Sequence, residues 1–111
     1  MDLTSLIKEK YHEFATLCRT YRVKKMYAFG SSITDHFDPI KSDIDLVVKL
    51  DIDDPADRGE ALLSLWDNLE ALFERRVDLL TEDSIRNPYL KKSIDRTKKL
   101  IYDGEGEKVL V

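Results

Sequence analysis

Cysteine is nearly absent. Cys18 stands alone among 111 residues, so no internal disulfide braces the fold. Histidine is almost as scarce: His12 and His36 lie far apart, and with one cysteine they make no zinc site of recognisable spacing. Only 4 glycines and 3 prolines are present, which excludes low-complexity and collagen-like chains. The longest unbroken apolar run, Met26 to Phe29, is too short for a membrane helix, and no signal-peptide core follows the acidic start Met1-Asp2. A surplus of positive charge is missing too. Lys plus Arg total 18 against 22 Asp plus Glu, a net charge of −4. A surface that neutralises many backbone phosphates is basic, so direct nucleic-acid binding over a broad face is not expected. These absences predict a soluble, cytoplasmic protein with no membrane partner.

What is present is a core and a great deal of charge. Hydrophobic residues make up 42% and charged residues 36%, enough apolar surface to fold and enough charge to dissolve. The length predicts one domain over residues 1–111. Leu3, Ile7, Tyr11, Phe14, Cys18 and Tyr21 recur at helical spacing, predicting one amphipathic helix from about Leu3 to Tyr21. Val23 to Phe29 reads as a strand, stopped by Gly30-Ser31-Ser32. Ile44 to Leu50 is a second strand, with Ile44, Leu46 and Val48 on one face and Asp43, Asp45 and Val47 on the other. Asp53-Asp54-Pro55 starts a helix that runs to about Arg75. Val77 to Leu80 is a third strand, Asp83-Ser84 a further cap, and Asn87-Pro88 opens a polar helix to about Thr97. Leu100 to Tyr102 is a short fourth strand, followed by a turn at Asp103 to Gly106. The order predicts an α/β (α+β) domain: a small mixed sheet of about four strands flanked by helices.

The chemistry concentrates in Gly30-Ser31 and in Ser42-Asp43-Ile44-Asp45-Leu46-Val47-Val48. Asp43 and Asp45 are two apart on a strand and share a face. Adjacent carboxylates repel, and a structure that keeps them normally supplies a cation. Hard oxygen ligands suit Mg²⁺, which binds through one or two carboxylates plus substrate phosphates. Taken alone, Asp-x-Asp at a strand end also describes two acids facing water. Three features shift the balance. A glycine after a strand lets backbone N–H groups approach a phosphate, with a serine hydroxyl as a further donor. Acids emerging from a packed strand need partners. Asp78 sits between Val77 and Leu79 in another apolar strand, where a shared metal cluster would give an acid its reason; the plainer alternative is a strand-edge acid paired with Arg75 or Arg76.

Together these residues resemble the DNA polymerase beta-like nucleotidyltransferase superfamily. The strand exit Tyr27-Ala28-Phe29-Gly30-Ser31, the run Ser42 to Val48, Val77-Asp78-Leu79-Leu80-Thr81 and Asn87-Pro88-Tyr89-Leu90 are similar to its minimal, MNT-type members. The likeness covers roughly residues 3 to 103. Two departures fall in the loop: it is slightly longer than the family pattern, and Ser32 stands where relatives often carry Arg. The resemblance implies a nucleotidyltransferase fold and transfer of AMP from ATP to a tyrosine hydroxyl of a cognate HEPN-type RNase toxin, which would make the chain an antitoxin in a hetero-oligomer. It implies that Asp43, Asp45 and Asp78 are catalytic and hold Mg²⁺, as two ions. It assigns Gly30, Ser31, Ser32 and Ser42 to the nucleotide.

Other residues weigh less. Lys24, Lys25 and Lys41 flank strands and read as solvated, and His36 as an exposed loop residue. Trp66 reads as core. Asp51, Asp53, Asp54 and Asp57 lack the glycine and glutamate of a calcium loop. Lys91, Lys92, Arg96, Lys98 and Lys99 form a solvated basic face. Two other functions remain open at this level: a non-catalytic nucleotide-binding antitoxin that neutralises by contact, and a small-molecule nucleotidyltransferase completed by dimerising.

Overall fold

A computed structural model of the chain describes residues 3–30 and 43–110. Helices α1 (Leu3–Glu9) and α2 (Tyr11–Thr20) lead into strand β1 (Val23–Phe29). Strand β2 (Ile44–Leu50), helix α3 (Pro55–Phe73) and strand β3 (Val77–Thr81) follow. A 3-10 turn (Glu82–Ser84), helix α4 (Pro88–Thr97) and strands β4 (Lys99–Asp103) and β5 (Lys108–Val109) complete the order. The strands form one sheet in the order β3-β2-β1-β4-β5. β2 and β3 pair in parallel, joined through α3, while β1 is antiparallel to β2 and to β4. The sheet is mixed, as expected, and among the described residues a short fifth strand joins the expected four or so. The added strand β5 is two residues long, too short to show any alternation in sequence, and it forms by folding back on β4.

The single expected first helix is bent in two. Lys10 leaves the helical region, at φ −115° and ψ 34°. Hydrogen bonds still bridge the bend, from Lys10 N to Leu6 O at 3.2 Å and from Phe14 N to Lys10 O at 2.9 Å. The bend turns Tyr11 off the apolar stripe: it is 43% exposed and meets the His12 ring edge-on. Helix α3 starts as its sequence dictates. Asp54 caps it by accepting from Asp57 N at 2.9 Å, and Pro55 occupies the first turn. Asn87 caps α4 in the same way, accepting from Tyr89 N and Leu90 N. The expected cap at Asp83-Ser84 is instead part of the 3-10 turn, where Ser84 Oγ accepts from Thr81 N and donates to Thr81 O.

The main core lies between α1, α2 and α3 and one face of the sheet. Ile7, Phe14, Cys18, Leu65, Leu69 and Phe73 pack against Met26, Ala28, Ile44, Leu46, Val48, Leu79 and Tyr102. Phe14 anchors it, with its ring 6.0 Å from Phe73 and 6.5 Å from Tyr102. Alternation then assigns Tyr27, Phe29, Asp45, Val47, Asp78 and Leu80 to the opposite face. Val47, expected beside the acids, is buried there. The end of α4 reaches this face, where Lys98 Nζ lies 4.3 Å from the centre of the Tyr27 ring. The sheet is therefore covered on one side and carries its acids on the other.

Candidate active site

Three strands bring the expected residues to one end of that second face. β2 is central, between β1 and β3. Asp45 stands opposite Phe29 of β1 on one side and opposite Asp78 of β3 on the other. Neighbouring strands run roughly 4.8 Å apart, so register alone sets Asp45 and Asp78 side by side. Asp43 immediately precedes β2, and the join is tied to β3 by Ile44 N donating to Arg76 O at 3.0 Å. Asp43 and Asp78 are exposed, and Asp45 is half-buried between them.

The electrostatics follow from this placement. Burial pushes the Asp45 carboxyl up, and the neighbouring carboxylates of Asp78 and Asp43 push it further, to about 6. Asp78 and Asp43 are thus both close enough to act on the Asp45 carboxyl. Among the described residues, no three His, Cys, Asp or Glu side chains close into a ready metal cage. The donors present are carboxylate oxygens, the chemistry that suits Mg²⁺ rather than zinc. A divalent cation also offsets the like-charge repulsion felt at Asp45.

Gly30 completes the described part. It follows β1 with φ +64°, a left-handed backbone that disfavours any side chain. A Cβ at this position would lie 2.7 Å from Asp45 Oδ2. Glycine is required here twice, by backbone and by space. Ser31, Ser32 and Ser42, expected at the nucleotide, lie outside the described residues, as do His36 and Lys41.

Other expectations sort themselves. Asp54 is a helix cap, and Asp51 lies 3.7 Å from exposed Arg22. Lys98 pairs with Asp95 at 3.1 Å. Trp66 packs against the core as expected, but its indole also holds the backbone, with Nε1 donating to Val77 O at 2.6 Å. One turn on, Glu70 Oε2 accepts from Val77 N at 2.9 Å. Sequence reasoning did not single out Glu70. Its signal was its spacing from Trp66, four residues apart on one helix face, beside a tryptophan whose N–H needs an acceptor once buried.

Comparison with known proteins places the chain in a family. A family model for the nucleotidyltransferase domain matches residues 13–101. A candidate protein adenylyltransferase of Methanocaldococcus jannaschii is 37% identical over 103 residues, 92% of this chain and 99% of the relative. The solved structure of a candidate minimal nucleotidyltransferase superposes with a TM-score of 0.60 at 26% identity, covering 89% of this chain and 95% of that one. The fold is also similar to that in a crystal structure of a toxin–antitoxin with AMP-PNP, with a TM-score of 0.58 at 23% identity, covering 86% of this chain and 78% of that one. With the family model spanning residues 13–101 and a relative 37% identical over 92% of this chain, the chain belongs to the nucleotidyltransferase domain family.

Proposed function

We propose that the chain transfers AMP from ATP to a tyrosine hydroxyl of a partner HEPN-type RNase toxin and so silences it, acting as the antitoxin of the pair. The observation that carries this reading is the register of Asp45 with Asp78, with Asp43 one residue before the strand and Gly30 against the Asp45 carboxylate. A site for phosphoryl chemistry needs converging oxygen donors beside a backbone that can approach phosphate, and these residues meet both needs. Support for a protein substrate comes from the relatives named as candidate protein adenylyltransferases and from the toxin–antitoxin likeness.

In this reading Asp43, Asp45 and Asp78 hold Mg²⁺, as two ions. Bound there, Mg²⁺ would offset the charge that gathers on the phosphates and would lower the pKa of the attacking hydroxyl. By holding that cation, Asp43 and Asp45 would orient the triphosphate with its α-phosphorus toward the acceptor, where bare carboxylates would repel it. Gly30 lets the backbone close on the β- and γ-phosphates, with Ser31, Ser32 and Ser42 as hydroxyl donors. The tyrosine oxygen bonds to the α-phosphorus as the bond to pyrophosphate breaks, and Asp78 accepts the tyrosine proton. Positioning and electrostatics supply most of such catalysis.

Incubation with α-labelled ATP, Mg²⁺ and the HEPN-type protein should label that protein, and changing Asp43 and Asp45 together to Asn should abolish the label. Should the double variant still neutralise the toxin at full strength, contact alone is the mechanism and transfer is not.

A further inference from the structure

β3 is the edge strand on its side of the described sheet, and an edge strand carries backbone groups that no neighbouring strand satisfies. Ile44 N donates to Arg76 O, so Arg76, and by alternation Asp78, turn their backbone toward β2. Val77 therefore turns its N–H and C=O away. Both are met by side chains of α3: Glu70 Oε2 accepts from Val77 N at 2.9 Å, and Trp66 Nε1 donates to Val77 O at 2.6 Å. Val77 itself is buried, so water is a poor substitute partner. The link from α3 to β3 is short. Glu74 ends the helix in a left-handed conformation at φ 54°, and Arg75 N donates to Glu70 O at 3.3 Å. Glu70 thus holds the turn with its carbonyl and the strand with its carboxylate.

We propose that Trp66 and Glu70 are positioning residues for Asp78. Resting on the transferase reading above, this makes α3 a two-point clamp on Val77 that fixes the edge strand, and with it the placement of Asp78 beside Asp45. Neither residue touches substrate. Their effect passes through the peptide groups flanking Val77, one of which is shared with Asp78.

The test uses the full chain with Glu70→Ala, Glu70→Gln and Trp66→Phe. Gln keeps a carbonyl acceptor, and Phe keeps a ring in the core while deleting the donor. Under native conditions the Asp78 amide should exchange hydrogen at least tenfold faster in Glu70→Ala and Trp66→Phe, with the amides of β1 unchanged and Glu70→Gln close to the parent. Calorimetric titration of Mg²⁺ with ATP present should show weaker binding in the same two variants. Transfer should lose kcat with little change in the KM for ATP. Exchange at Asp78 that accelerates only in step with β1 would mean general destabilisation and would overturn the clamp. A parent chain that transfers no AMP would sink the transferase reading, while the exchange comparison would still decide the clamp. If Glu70→Ala does not fold, Trp66→Phe carries the same comparison.

Discussion

Gly30 leaves open the space that Asp45 uses. A Cβ on residue 30 would sit 2.7 Å from Asp45 Oδ2, and the backbone there is left-handed at φ +64°. Gly30→Ala should therefore act at two levels. The backbone strain costs about 1–2 kcal/mol of stability. The displaced carboxylate costs much more in function, because a shift of about 1 Å in a positioned group can lower the rate about 100-fold. Urea unfolding and AMP transfer measured on the same samples separate the two. A variant that loses stability but transfers normally would show that Asp45 need not occupy its observed place.

Helix caps give a contrasting prediction. Asp54 accepts from Asp57 N at the start of α3 and stands well away in sequence from the paired acids. Asp54→Ala should cost about 1 kcal/mol, lowering Tm by about 4 °C for a domain of this size, and should leave transfer by the folded protein unchanged. Calorimetry and an assay below the transition would test both halves. A loss of transfer without a loss of stability would assign Asp54 a place in the chemistry after all.

Most of the fold was legible because its signals are local. Pro55 behind Asp54 and Pro88 behind Asn87 mark helix starts that the structure reproduces. The strand carrying Asp45 showed its alternation, and the spacing of the acids put them on one face. What escaped was set by tertiary context. The bend at Lys10 has neither glycine nor proline to announce it, and Tyr11 just beyond it lies exposed. β5 exists only because β4 offers it an edge. Register is non-local as well. No pattern in either strand alone says that Asp45 faces Asp78; an acid inside an apolar strand hinted at a shared cation site, and the resemblance made the pairing specific. Glu70 read as one more charge on a helix because its partner, the Val77 amide, belongs to the next element.

Cys18 is fully buried, and burial pushes its thiol up to about 12. At pH 8 the folded protein would then hold only about one thiolate in ten thousand, against roughly a quarter for an ordinary cysteine near 8.5. A thiol reagent should react with the native chain no faster than the chain opens. Labelling should accelerate with urea in parallel with unfolding followed by fluorescence. Rapid stoichiometric labelling in buffer would show that Cys18 is accessible and that α2 does not pack as described.

Asp45 ties stability to pH in a direction opposite to that of a salt-bridged acid. Its folded-state pKa is about 6, above the ordinary 3.8, so the folded protein binds the proton more tightly than the unfolded chain. The ionised carboxylate is then a burden at neutral pH. That burden lifts as pH falls through 6 and is gone below 3.8. The shift alone would convert to roughly 3 kcal/mol, but the group is only half-buried, and solvent screening reduces this to about 1 kcal/mol. Asp45→Asn should therefore be more stable than the parent by about that much at pH 7.5, with the advantage shrinking between pH 6 and pH 4. Millimolar Mg²⁺ should narrow the gap at pH 7.5 by stabilising the parent and not the variant. Urea titrations of both proteins across this range, with and without Mg²⁺, provide the measurement. A parent more stable than Asp45→Asn at pH 7.5 without Mg²⁺ would mean that Asp45 has a cationic or hydrogen-bonding partner strong enough to outweigh Asp78 and Asp43.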